Sequence, residues 1–223
     1  MNMRIQAKAI LFDLDGTLLD TIADLAEAAN LMLAEMGRPA LSQARVHCFV
    51  GRGIEDLVRR CLAESANPSE EEVRTAREAF RRHYAHVNGQ TTRPYPGIPE
   101  LLAELAARQI KMAVVTNKSA VFTHPLLQQF NIAHYFSAVV CGDTLPTKKP
   151  DPAMLWHACG LLETKPAEAL MVGDSINDSL AARAAGIPVL LVDYGYSEGM
   201  PVERIDCDAR LKEAGGVLDY LAR

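Results

Sequence analysis

The feature that most restricts this chain is a series of short apolar runs, at residues 9–12, 112–115, 138–141, 169–172 and 189–192, almost free of polar interruption. A strand with one face in water alternates polar and apolar residues, whereas a run that is apolar on both faces needs cover on both. Helical patterns lie between several of these runs, for example at residues 99–109 and 179–185. Strands alternating with helices predict an α/β fold built on a doubly wound parallel sheet of Rossmann-like type.

The interval from residue 20 to residue 93 breaks the alternation. It contains no strand-like run but several helical stretches. Thr21 and Asp24 have the spacing of a capping pair, followed by an apolar face of Ile22, Leu25, Ala26, Ala29, Leu33 and Met36 that stops at Gly37 and Pro39. Ser69 and Glu72 predict a second start, with Val73, Ala76, Phe80 and Tyr84 on the buried side. The expected organisation is a core of residues 1–19 and 94–223 and an inserted α-helical cap of residues 20–93. The Gly- and Pro-bearing crossings at residues 16–21 and 88–97 would serve as hinges. Pro125 falls inside the helix expected after Ser119 and should kink or end it.

With 49% apolar and 23% charged residues in 223, the chain has an ordinary globular composition. It starts without a signal-peptide pattern and has no run near the ~20 apolar residues of a membrane helix, so a cytoplasmic protein with no membrane partner is expected. Five scattered cysteines, with no paired spacing, point to neither a disulfide framework nor a zinc site, and the six histidines show no ligand spacing. The formal charge of −5 argues against a nucleic-acid partner.

Ligands of open parallel sheets bind beyond the carboxyl ends of the strands. There the sequence places Asp13 and Asp15, then Thr116, Asn117 and Lys118, then Lys149 before Pro150, and finally Asp174 and Asp178. Phosphoryl transfer needs an anionic nucleophile, a cation to offset it, an acid for the leaving oxygen and donors for the phosphoryl oxygens. Asp13 is the candidate nucleophile and Asp15 the acid and base. Thr116 and Lys149 are the candidate oxygen donors, with Lys148 a competitor for the latter role. Asp13 and Asp174, facing each other from strand ends, would need a hard cation between them, and an all-oxygen ligand set favours Mg²⁺. Each acid also has a purely structural reading. Asp13 and Asp174 could be helix N-caps and Asp15 a turn acid, and Asp178 could cap a helix starting at Ser179. Thr116 could be a satisfied strand-end hydroxyl, and Asn117 could brace a turn.

In order, Asp13-Leu-Asp-Gly-Thr17, Thr116-Asn117, Lys149-Pro150 and Gly173-Asp174-Ser-Ile-Asn-Asp178 resemble the four motifs of the haloacid dehalogenase-like hydrolase superfamily and span nearly the whole chain. The resemblance implies a Mg²⁺-dependent phosphatase with Asp13 as nucleophile and Asp15 as acid and base. It also implies Mg²⁺ on Asp13, the Asp15 backbone carbonyl and Asp174, with Asp178 supporting the metal from behind its ligands. The presence of Asp15 argues against the superfamily's dehalogenases. The insertion after the first motif resembles its smaller type of cap, which usually sets specificity.

No lysine occurs between Lys8 and Lys111, which disfavours relatives that use a cap lysine, the phosphonate-cleaving enzymes and the sugar-phosphate mutases. The segment Val50-Gly51-Arg52-Gly53, running on to Val58, resembles the cap loop of phosphoglycolate phosphatases, and Asp193-Tyr-Gly-Tyr196 resembles a late segment of the same branch. Gly51 and Gly53 could free backbone amides for a ligand, and Arg52 presents a fork suited to a carboxylate or second phosphate. The same residues admit a solvated arginine between helix-breaking glycines. The substrate expected is a small phosphorylated metabolite, 2-phosphoglycolate first. A pyrophosphatase, another small-metabolite phosphatase, a phosphotransferase and a non-catalytic phosphate sensor remain as alternatives.

Overall fold

The apolar runs form one sheet. In the computed structural model, which describes residues 4–222, strands β1 (Ala9–Phe12), β4 (Lys111–Val115), β5 (Ala138–Val140), β6 (Ala169–Gly173), β7 (Val189–Val192) and β8 (Ala209–Leu211) lie parallel in the order β5-β4-β1-β6-β7-β8. Side chains alternate between the two apolar layers with a period of two. Ile10, Phe12, Val114, Val172 and Leu190 enter one core, together with α5 (Ile98–Ala107), α6 (Ala120–Gln129) and the short α9 (Val217–Tyr220). Leu11, Ala113, Val115, Met171 and Leu191 enter the other, with α7 (Ala153–Leu161) and α8 (Ile176–Ala185). Both faces are dry, which is why the strands carry no alternating polar residue. Strand β8 eluded the sequence reading because Ala209, Arg210 and Leu211 form a half-exposed edge.

Four helices make a cap with its own core: α1 (Ile22–Glu35), α2 (Gln43–His47), α3 (Ile54–Ala63) and α4 (Glu70–Val87). Val73, Ala76, Phe80 and Tyr84 are buried as their spacing requires, and Ser69 and Glu72 form a reciprocal capping box. Two short strands, β2 (Leu19–Asp20) and β3 (Arg93–Pro94), pair antiparallel where the chain leaves and rejoins the sheet. Two residues each is too little for a sequence pattern to reveal.

Two local expectations change. Helix α6 continues past Pro125 to Gln129. The bond the proline cannot donate would have gone to the carbonyl of Val121, an exposed residue of the first turn, where the missing partner costs least because solvent has access. Thr21 and Asp24 do not cap α1 reciprocally. Thr21 gives its hydroxyl proton to Asp15 Oδ1 (2.7 Å) and its N–H to the Tyr196 hydroxyl (2.6 Å). Asp24 instead accepts from the N–H groups of Gly89, Thr91 and Thr92 and from both threonine hydroxyls (2.5–3.1 Å), tying the first turn of α1 to the segment that leads out of the cap. A carboxylate accepts more bonds than a local cap can supply, so the longer-range donors win.

Burial by itself pushes the Asp24 carboxyl up, but the bonds from Thr91 and Thr92 outweigh it and hold it below the usual carboxylate range. The folded state therefore favours the ionised form. The resulting stability is present above about pH 4 and is lost as the pH falls through the depressed folded-state value. Asp24→Asn is expected to cost about 2–4 kcal/mol at pH 7. The gap from wild type, measured by urea unfolding, should narrow below about pH 4; a gap that stays constant down to pH 3 would contradict this role.

Candidate active site

The register of the sheet brings the acids together. Phe12 pairs with Val114 of β4 on one side and Val172 of β6 on the other, so the chain turns out of all three strands at one level. Asp13 follows β1 and donates its N–H to the Val172 carbonyl (3.0 Å). Asp174 follows β6, and Asp178 stands in the first turn of α8, which starts at Ile176 rather than at the expected Ser179. One carboxylate oxygen from each of Asp13, Asp174 and Asp178 lies within 4.8 Å of the others.

Lys149 sits inside this cluster, its Nζ 2.6 Å from Asp178 Oδ1 and 2.9 Å from Asp13 Oδ1, and its side chain is almost wholly buried. Neighbouring Lys148 makes no such contact; the loop, held by Asn117, aims Lys149 inward. The Asn117 amide donates to the carbonyls of Lys149 (2.9 Å) and Gly51 (2.8 Å), and its oxygen accepts from the Lys149 N–H (3.0 Å). Asn117 is therefore a brace rather than a free substrate donor, because both of its amide protons are already used. Asp178 has two duties. Its Oδ1 takes Lys149, while its Oδ2 accepts from Asp174 N–H (3.2 Å), Ser175 N–H (3.1 Å) and Ser175 hydroxyl (2.8 Å), completing a capping box for α8.

Asp174 accepts from the Thr17 hydroxyl (2.9 Å) and from the Tyr196 N–H (2.6 Å). Burial, then the charges of Asp178 and Asp13, pushes its carboxyl well above the ordinary range despite these bonds. Burial likewise raises Asp13 to about 7 against the pull of Lys149, with Asp178 and Asp15 adding to the rise. Three carboxylates against one ammonium leave two negative charges when all are ionised, and every candidate ligand atom is an oxygen. A hard divalent cation fits that deficit.

Asp15 lies beside the cluster, held by Lys118 Nζ (2.9 and 3.2 Å to its two oxygens) and by Thr21. Thr116, buried after β4, accepts from the Lys118 N–H (3.2 Å). Asp13, Asp15 and Thr116 open into a cavity of about 50 Å³ roofed by Leu25, Ile54 and Tyr84 of the cap. Gly51 and Gly53 lie on its wall with φ of 143° and 87°, and an added Cβ at Gly51 would run into the Glu198 side chain. The Gly51 carbonyl is taken by Asn117 and Asn177 (3.3 Å), so it joins cap to core.

Arg52 does not enter this cavity. Its half-exposed guanidinium donates to Glu198 (2.9 Å), which also accepts from the Asn177 amide. The fork expected to face a ligand pairs here through Nε with the carboxylate of Glu198, which the fold brings over. Lys118, which the sequence places at the rim without a role, and Tyr84, which it places only in a helix core, both line the cavity. Their only signals were a lysine directly after Thr116-Asn117 and a tyrosine on the buried side of its helix. Thr17, which orients Asp174, lay inside the first motif without an assigned task.

Replacing Lys149 by Met should leave the carboxylates uncompensated and cost about 3–5 kcal/mol at pH 7.5 in EDTA. The raised carboxyls take up protons readily as the pH falls, so the cost should shrink by pH 5.5. Unfolding in urea at the two values checks this; equal costs would mean that Lys149 carries no compensating charge.

Residues 10–192 match the haloacid dehalogenase-like hydrolase family. The phosphoglycolate phosphatase of Nitrosospira multiformis is 47% identical over 211 residues, 94% of this chain and 93% of that one. The phosphoglycolate phosphatase of Thiobacillus denitrificans is 45% identical over 204 residues, 91% and 90% of the two chains. The crystal structure of a predicted phosphoglycolate phosphatase from Haemophilus somnus 129pt superposes with a TM-score of 0.90 at 34% identity, covering 96% of this chain and 97% of that one. Among the described residues, no helix is long and apolar enough to cross a membrane. Match and geometry agree: the chain belongs to the haloacid dehalogenase-like hydrolases, as a phosphatase of their phosphoglycolate phosphatase-like branch.

Proposed function

We propose that the chain hydrolyses 2-phosphoglycolate in two steps through a phosphorylated Asp13, with Mg²⁺ as cofactor. The observation that carries this reading is the pair Asp13 and Asp15 opening side by side into one small capped cavity, with Lys149 and Asp174 behind Asp13. Asp13 Oδ1 is held by the Leu14 N–H (2.7 Å) and Lys149, which leaves Oδ2 to attack phosphorus. Asp15 gives a proton to the departing glycolate oxygen and then takes one from the water that cleaves the acyl phosphate. Lys149 and the Thr116 hydroxyl offer donors to the phosphoryl oxygens. The cap excludes bulk water and limits the substrate to a small ester.

Asp13, Asp174 and the Asp15 carbonyl would hold Mg²⁺. When bound, the ion offsets charge between nucleophile and phosphate. Asp178 steadies this arrangement by accepting from the Asp174 N–H while it anchors Lys149. The names of the relatives support phosphoglycolate over pyrophosphate.

Inorganic phosphate release should be fastest from phosphoglycolate when compared with pyrophosphate, several sugar phosphates and an aryl phosphate. It should vanish in EDTA and fall by about 10³-fold or more in Asp13→Asn. A different preferred ester would refute the substrate alone, whereas turnover by Asp13→Asn would refute the nucleophile. Mg²⁺ should also raise the melting temperature, by an increment equivalent to about 2.7 kcal/mol at a hundred times its Kd. Asp174→Asn should abolish that rise and, having one charge fewer, should melt no lower than wild type in EDTA. A Mg²⁺-dependent rise that persists in the variant would remove Asp174 from the ligand set.

A further inference from the structure

We infer that Lys118 of the core and Tyr84 of the cap together form the recognition site for the substrate's carboxylate, the end of the molecule that is not transferred. This deepens the reading of the chain as a phosphoglycolate phosphatase and rests on it. Among the described residues, Lys118 is the one cation lining the cavity above Asp13 and Asp15. Lys149, in contact with Asp13 and Asp178, serves the phosphoryl side, and Arg52 pairs with Glu198 and does not line the cavity.

Lys118 Nζ lies 2.6 Å from the Tyr84 hydroxyl and within 3.2 Å of both Asp15 oxygens, and the two side chains are buried, at 7% and 1% exposure. The three protons of the ammonium meet Tyr84 and both oxygens of Asp15, the longer Asp15 contact at 3.2 Å, so a ligand carboxylate entering the cavity can take over one of the two bonds now made to Asp15. The Tyr84 hydroxyl accepts from Lys118 and keeps its own proton to donate. Two adjacent donors, one from the core and one from the cap, suit a carboxylate, which has two acceptor oxygens. The side chains that the rest of the roof presents, Leu25, Ile54 and Leu57, are apolar. Asp15 stands between the phosphoryl position at Asp13 and the donors at Lys118. A ligand spanning both must therefore carry its carboxylate a short distance from its phosphate, with the ester oxygen near Asp15. Because Tyr84 rides on α4, the same carboxylate would bond cap to core when the cap is shut.

The test compares kcat/KM for 2-phosphoglycolate with that for ethyl phosphate, which has the same chain length and no carboxylate. Wild type should favour phosphoglycolate. Lys118→Met should reduce the ratio roughly 10- to 100-fold, Lys118→Arg should restore most of it, and Tyr84→Phe should lower it by about 3- to 10-fold. The ratio cancels any loss common to both esters, including one caused by freeing Asp15. If Lys118→Met depresses both substrates alike, Lys118 serves only Asp15 and the inference falls while the phosphoglycolate reading stands. If wild type shows no preference for phosphoglycolate, both fall. Tyr84→Phe removes one hydroxyl from a packed ring, so an unchanged ratio in that variant counts against the inference even if Lys118→Met does not fold.

Discussion

Like charges crowded out of water dominate this structure. Asp13, Asp174 and Asp178 bring three carboxylates within 4.8 Å of one another at a place where burial alone disfavours ionisation. The rest of the site makes that crowding tolerable. Lys149 bridges two of the three acids, the backbone of Tyr196 and the hydroxyl of Thr17 serve Asp174, and the start of α8 absorbs the free oxygen of Asp178. The parallel sheet supplies the rigidity, because β1, β4 and β6 end in register and cannot drift apart without breaking ladder bonds on both sides of β1. A cluster that is unfavourable by itself is a cluster prepared for cation and phosphate, and its strain is the counterpart of its chemistry.

The cap is joined to this centre by polar contacts that converge from several elements. Asn117 links the Lys149 loop to Gly51 of the cap, while Thr21 hands one proton to Asp15 and another to Tyr196. Asp24 gathers five donors from residues 89–92 and so fastens the first turn of α1 to the chain leaving the cap. The apolar cap core extends into the body of the protein through Phe122 and Tyr196. The acid, the lysine that holds it and the hinge thus share hydrogen bonds, and a shift of the cap must be felt at Asp15.

The sequence by itself determined five of the six strands of the sheet and the acids that follow them. Apolar runs this short, separated by helical patterns, read as doubly covered strands, and Asp13, Asp15, Thr116 and Asp174 follow them directly while Lys149 lies in the loop after the third, so their position was legible from order alone. The Ser69–Glu72 cap was legible for a similar reason, since both partners lie within one turn. Only the tertiary structure decided what depends on partners far apart in the chain. Arg52 had a fork suited to an anion, but Glu198, 146 residues away, claimed it. Thr21 and Asp24 had the spacing of a local cap, but Asp15, Tyr196 and the segment at residues 89–92 offered more bonds. Lys118 at the strand-end rim and Tyr84 on the buried side of its helix had no partner in the sequence until the fold set the Tyr84 hydroxyl 2.6 Å from Lys118 Nζ. A short-range pattern reports what a residue can do alone, whereas a side chain's bonds are settled by competition among all the groups the fold brings within about 3 Å, and most of those competitors are distant in sequence.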